Sequence, residues 1–403
     1  MEKGEEMKKE PLWTKNFIAV STANFFLFIA YYSLLVTLPA AAIADLRSGS
    51  SIAGLFTTIF LAAAIVIRPF VGTWIDRFGK RPVLLTSFLL FTIISLLYGF
   101  FQTIVILLIL RFLQGLGFGV ATASAGGVAA DVIPDSRKGE GLGYFVMSNN
   151  LAMVLGPFLG ITFYGKFGMT SLFAVASVCS LLGLLAGTLT KVPHQKQKKG
   201  MEQKKQPKFE KGAVPYGLIS GFLGIAYSSI LSFMAVFAVH RDMEMAGSYF
   251  FLVFAVVLLL SRPFTGRWYD RYGADYIIYP CIVIFGLGLL VLGLSHTVWM
   301  FLLAAGLIGL GWGTMFSSFQ TLAIQSSNAK RSSTATATYL SVFDIGIGGG
   351  SFIAGILVNY MDIGTMFIIF SIYSILGLGM YYLIRKSEKK NKEKEHYFTK
   401  EMS

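Results

Sequence analysis

Residues 68–79 read RPFVGTWIDRFG, and residues 262–273 read RPFTGRWYDRYG. Eight of these twelve positions are identical at a constant offset of 194 residues, a match that shared composition alone does not produce. The chain is therefore a tandem duplication, and internal symmetry frames every other reading. Each copy closes an apolar run and places an arginine, an aspartate and two glycines where a helix leaves a membrane and turns.

Composition agrees. Of the 403 residues 55% are hydrophobic and 14% charged, with a mean hydropathy of +0.66, which is a membrane composition. Six apolar runs of bilayer-crossing length lie before residue 190, from Phe17–Ala42 to Thr170–Leu189, and six more lie between Val214 and Ile384. The first run exceeds the apolar stretch of a cleaved signal peptide and is read as a retained helix. The expected organisation is a tail over 1–15, a six-helix bundle over 16–190, a linker over 191–213 carrying eight lysines, a second bundle over 214–385 and a tail over 386–403. Cys179 and Cys281 fall in apolar runs of different halves and read as small core side chains. No metal or cofactor is expected, because the four histidines sit in the linker, loops and tail without ligand spacing.

Sorting the 34 lysines and arginines among alternating loops puts 30 on the side of the N-terminus, three (Arg47, Lys166, Arg241) on the other, and Arg111 within a run. The positive-inside rule then makes both termini cytoplasmic in a multi-pass protein of a cell membrane, with a bacterial plasma membrane as the expected setting. The formal charge of +13 is thereby explained by topology and attraction to anionic lipid, with no nucleic-acid partner.

The first copy continues as GTWIDRFGKR, with Gly72, Asp76, Arg77, Gly79, Lys80 and Arg81. This resembles the loop between helices two and three of the major facilitator superfamily: Gly, three residues, Asp-Arg, one residue, Gly, then two basic residues. The second copy keeps Gly266, Asp270, Arg271 and Gly273 but continues with Ala274 and Asp275. Gly72 would permit close helix contact and Gly79 the turn. The resemblance implies that Asp76 reaches the start of helix eleven near Ser332 and Ser333, and Asp270 the start of helix five near Ser136. An acid at a helix N-terminus gains roughly 0.3–1 kcal/mol, weak enough to break in each cycle of a gate. Asp131, Arg137 and Glu140 would join that gate network; the alternative is a loop that only fixes topology.

Arg111 opens RFLQGLGFG, which looks like the family's fourth-helix motif of Arg, two residues, Gln-Gly, one residue, Gly. An arginine inside a span costs roughly 2.5–3.5 kcal/mol on insertion scales, so it either faces a cavity or partner, or snorkels outward. The second half has Ala305 there while keeping Gly309, Gly311 and Gly313. In helix five, Gly156, Pro157 and Gly160 resemble the Gly-Pro motif of the superfamily's antiporters, with Ala152 in place of an upstream glycine; helix packing alone also explains them. Asp344 is the one acid deep in a run and stands opposite Asn150 in the repeat register. Desolvation disfavours its charged form, which suits a proton carrier paired with Arg111; the alternative is a hydrogen bond to a neighbouring helix. The resemblance places helices one, four, seven and ten around a central cavity. This makes Asn24, Tyr31, Tyr32, Gln114, Asn149, Asn150, Tyr227, Trp312 and Gln320 candidate substrate contacts.

The expected fold is an all-α membrane protein with twelve transmembrane helices in two pseudo-symmetric six-helix bundles. The resemblance implies a secondary transporter of the drug/proton antiporter branch, not an enzyme: a monomer that exports a small amphipathic or hydrophobic compound against protons. A proton-coupled importer of a small metabolite and a non-transporting membrane receptor are the alternatives.

Overall fold

A computed structural model describes residues 11–134, 137–191, 210–327 and 332–401. Among them, twelve helices are long and apolar enough to cross a membrane. The chain divides into two compact units, Met1–Gln206 and Pro207–Ser403. The first holds α1 (Lys15–Ala44), α2 (Ser50–Phe78), α3 (Lys80–Leu97), α4 (Ile104–Val132), α5 (Lys138–Phe167) and α6 (Met169–Thr188). The second holds α7 (Val214–His240), α8 (Glu244–Tyr272), α9 (Ala274–Gly293), α10 (Val298–Gln325), α11 (Ser332–Leu357) and α12 (Ile363–Glu401). The last helix runs on through the lysine-rich stretch after Ile384, which the sequence reads as a tail.

Inside the first unit α1 packs on α5 and α6, α2 on α4, and α3 on α4 and α6. Inside the second, α7 packs on α11 and α12, α8 on α10, and α9 on α10 and α12, the same five pairings six helices later. The repeat reaches single residues. A β-carbon added to Gly115 or Gly119 of α4 would collide with Phe60 or Ala64 of α2, and one on Gly117 would press on Phe91 of α3. In α10 the colliding pairs are Gly309 with Phe254, Gly313 with Leu258 and Gly311 with Phe285, each at the 194-residue offset. These glycines let the helices approach closely, so van der Waals contact replaces side-chain bulk.

The turns between α2 and α3 and between α8 and α9 are equally alike. Gly79 and Gly273 both adopt φ +86°, where an L side chain would be strained, and donate back to Ile75 (2.8 Å) and Tyr269 (2.9 Å). Gly72 does not serve helix contact: a β-carbon there, as at Gly266, meets nothing within 4 Å. Gly156 and Gly160 do lie against α1, close to Tyr32, Ser33 and Thr37, and α5 continues through Pro157. Outward faces carry large apolar side chains, such as Leu89, Ile93 and Leu96 on α3 and Ile372, Ile375 and Leu376 on α12.

Candidate substrate and coupling site

Within the first unit the sequence candidates converge on Arg111. Its side chain is 0% exposed, so it does not snorkel, and its guanidinium lies 4.8 Å from the centroid of the Phe60 ring. Arg111 Nη1 donates to Gln114 Oε1 at 3.0 Å, one helical turn along α4. The same oxygen accepts from Tyr98 Oη at 3.1 Å, while Gln114 Nε2 donates to Ser95 Oγ at 3.0 Å. Ser95 Oγ in turn donates to the Phe91 carbonyl at 2.8 Å, and Ser177 Oγ of α6 donates to the Ser95 carbonyl at 2.8 Å. Aromatic rings wall the cluster: Tyr31 stacks on Phe60 (5.0 Å) and Phe118 (4.5 Å), and Tyr98 on Phe173 (5.2 Å).

Two of the guanidinium nitrogens, Nε and Nη2, have no hydrogen-bond partner among the described residues. A buried cation left partly unpaired is expensive and contributes nothing to packing that an apolar side chain would not do better. The second unit shows the cheaper solution. Positions equivalent to Arg111, Gln114, Ser95 and Tyr98 hold Ala305, Ile308, Leu289 and Leu292, all fully buried. The helices around the site are copied, and its polarity is not.

The remaining candidates separate. Asn24 and Asn149 bond to each other across α1 and α5, and Tyr32, half-buried, packs its ring on Tyr31 at 4.8 Å. In the second unit Tyr227 and Trp312 stack nearly parallel at 4.2 Å and 12°, with Phe285 5.4 Å and Phe343 5.9 Å from Trp312. Gln320 is half-buried two turns further along α10, and Asp344 is half-buried on α11. The side chains of Glu140, Asn150, Asp270, Ser332 and Ser333, and all of Ser136, lie outside the described residues.

At the turn of the first unit Lys80 pairs with Asp131, joining α3 to the end of α4, and Arg81 donates to the Thr188 carbonyl of α6 at 3.3 Å. Asp76 and Arg77 are exposed, and Arg137 immediately precedes α5 without a side-chain bond to cap it. The second unit ties the same corner differently. Gln325 replaces Asp131 and accepts from Tyr269 at 3.3 Å, while Asp275 replaces Arg81 and accepts from Arg385 Nε at 2.8 Å and Tyr381 Oη at 2.6 Å. Among the described residues no group of three or more His, Cys, Asp or Glu is placed to hold a metal ion. Sequence reasoning passes over Ser95, Tyr98 and Ser177, ordinary polar residues in apolar runs. The repeat register, applied column by column, is the signal that would have found the first two.

Two copies of a six-helix bundle, with twelve membrane-length helices among the described residues, define a polytopic membrane protein. The chain belongs to the Major Facilitator Superfamily, whose sequence pattern matches residues 20–279 and 248–401. It is a secondary transporter of a small molecule. It is 25% identical over 348 residues to an uncharacterised MFS-type transporter of Methanocaldococcus jannaschii, covering 83% of this chain and 89% of that one. It is 29% identical to the multidrug resistance protein MdtG of Enterobacter lignolyticus, over 76% of this chain and 75% of the relative. Among solved structures, the nucleoside transporter NupG shares the fold with a TM-score of 0.72 at 14% identity, over 91% of this chain and 99% of its own.

Proposed function

We propose that this transporter exports a small amphipathic or hydrophobic compound in exchange for protons by alternating access, as a monomer with both termini cytoplasmic. The observation that carries the reading is the asymmetry between the copies. Arg111, with its hydrogen-bonded support, faces Ala305 in the register, and the half-buried carboxylate Asp344 faces Asn150. In this reading Asp344 takes up and releases the proton and Arg111 is the second residue of the coupling, so that substrate and proton occupy the transporter in turn. Tyr31 stacks on Phe118 within the first unit and Tyr227 on Trp312 within the second, and aromatic clusters of this kind suit a flat apolar compound. The relatives named as multidrug resistance proteins support the same class of substrate.

The experiment is transport of ethidium, as a probe amphipathic cation, into everted vesicles under an imposed pH gradient. Wild-type protein is expected to accumulate ethidium when the lumen is acidic, and Asp344→Asn to abolish the dependence on the gradient. Accumulation by Asp344→Asn that still follows the gradient would show that the proton does not use this carboxylate. Solute movement with the protons, instead of against them, would convert the exporter into an importer.

A further inference from the structure

Beside the aromatic stack of the second unit runs a short chain of hydroxyls. Tyr339 of α11 is 0% exposed. Its hydroxyl donates to the Phe316 carbonyl of α10 at 2.9 Å and lies 2.8 Å from Ser220 Oγ of α7. A phenol has one proton to give and the carbonyl takes it, so Ser220 is the donor to the tyrosine oxygen. The chain therefore has one direction, from α7 through α11 to α10. Phe316 accepts without leaving its own helix, because a carbonyl has two lone pairs and α10 continues to Gln325.

These residues share helix faces with the aromatic cluster. Phe316 follows Trp312 by four residues, Phe343 follows Tyr339 by four, and Tyr227 follows Ser220 by seven. The Phe316 ring lies 5.6 Å from Tyr339, 4.8 Å from Phe343 and 6.1 Å from Trp312. Phe316 and Phe343 are half-buried while Tyr227 and Trp312 are buried, so the first two present the accessible side of the cluster. Glycines already bring α7 and α11 together, Gly346 lying against the Gly221 backbone. Those of α10 face α8 and α9 instead, through Phe254, Leu258 and Phe285. The tyrosine hydroxyl is thus what fastens α10 to the α7–α11 pair at the level of Phe316.

The first unit serves as an internal control. Positions equivalent to Tyr339, Ser220 and Phe316 hold Phe145, Phe26 and Thr122. Phe145 is buried but has no hydroxyl, and Thr122 Oγ1 donates to the Phe118 carbonyl of its own helix at 2.9 Å. The same frame is built with phenylalanine in one copy and with a hydroxyl chain in the other.

We infer that Tyr339 is a positioning residue for the transported compound: its hydroxyl holds Phe316, and through it Trp312, where a flat apolar ring can stack. The inference rests on the proposal that the Tyr227–Trp312 cluster meets that compound. Tyr339 is fully buried and acts only through Phe316.

The test is the concentration dependence of ethidium accumulation in everted vesicles. Tyr339→Phe is expected to raise the half-saturating concentration about fivefold, the scale of one lost hydrogen bond, and to keep the maximal rate within about twofold. It should fold, since the first unit carries phenylalanine in this frame, and its melting in detergent reports on that. Trp312→Ala, which removes the stacking face, is expected to raise the half-saturating concentration further. Tyr339→Phe combined with Phe316→Ala should match Phe316→Ala alone, because a ring that is gone needs no positioning. If Trp312→Ala weakens ethidium and Tyr339→Phe does not, the positioning role is overturned and the stack keeps its place in transport. If neither variant changes the half-saturating concentration, both are overturned. A loss confined to the maximal rate, or effects that multiply in the double variant, would make Tyr339 a scaffold residue and sink the inference.

Discussion

The cluster around Arg111 in the first bundle and its counterpart around Ala305 in the second occupy the same packing frame with opposite chemistry. In both, a glycine-lined helix sits against a phenylalanine from each of two neighbours: Phe60 and Phe91 in one copy, Phe254 and Phe285 in the other. One frame encloses a cation, an amide and two hydroxyls, and the other encloses Ala305, Ile308, Leu289 and Leu292. Helix approach and buried charge are thus independent properties of this fold. The second copy demonstrates that the frame holds without the charge.

The largest effect is expected from forcing the first copy to imitate the second. The quadruple replacement Ser95→Leu, Tyr98→Leu, Arg111→Ala and Gln114→Ile should give a protein that folds and melts at least as high as wild type, because well-packed apolar groups often equal or exceed a buried polar cluster. Its ethidium transport should fall about 100-fold or more, the scale on which losing one charged donor slows a step that depends on it. Arg111→Ala alone should lose the same transport. Retained flux with a collapsed melting temperature in either variant would make the cluster a scaffold.

A smaller and symmetric effect is expected from the shared frame. Gly115→Ala and Gly309→Ala each push a methyl group into a neighbouring backbone carbonyl and should each cost about 1–3 kcal/mol in a denaturation series. Gly72→Ala, which meets open space, should stay within about 0.5 kcal/mol. A large difference between the two frame glycines would break the equivalence of the copies.

The smallest effect belongs to the corners. A double-mutant cycle on Lys80 and Asp131, which are 29% and 18% exposed, should return a coupling of about 1 kcal/mol or less that weakens with salt. The matching cycle on Tyr269 and Gln325, neutral and 3.3 Å apart, should be smaller and indifferent to salt.

Much of the fold is legible in the chain because its causes are local. The repeated RPF–G–W–DR–G stretch declares the duplication, and run length declares the helices. The positive φ at Gly79 and Gly273 follows from a glycine closing each copy. Gly72 misleads, since a small residue near a helix end reads as a contact, and only the neighbours' positions reveal that none is there. Arg111 and Gln114 are visible as polar interruptions of an apolar run. Ser95 and Tyr98 show only when the register sets them beside Leu289 and Leu292, and Ser177, matched by Ser371, does not show at all, because a hydroxyl in a span satisfies itself on its own helix as often as on another and only packing decides which. Asn24 donates to Asn149 across α1 and α5, a pairing that no spacing 125 residues apart announces.

The direction of the hydrogen bonds around Arg111 also constrains how two once-identical bundles could have grown apart. Ser95 needs nobody: its hydroxyl rests on the Phe91 carbonyl 2.8 Å away. Gln114 needs Ser95 beneath its amide nitrogen, and Arg111 needs the Gln114 oxygen. A buried polar group introduced before its partner costs about 1–3 kcal/mol, so ancestry that gained this cluster placed the serine early and the arginine last, and ancestry that lost it shed the arginine first.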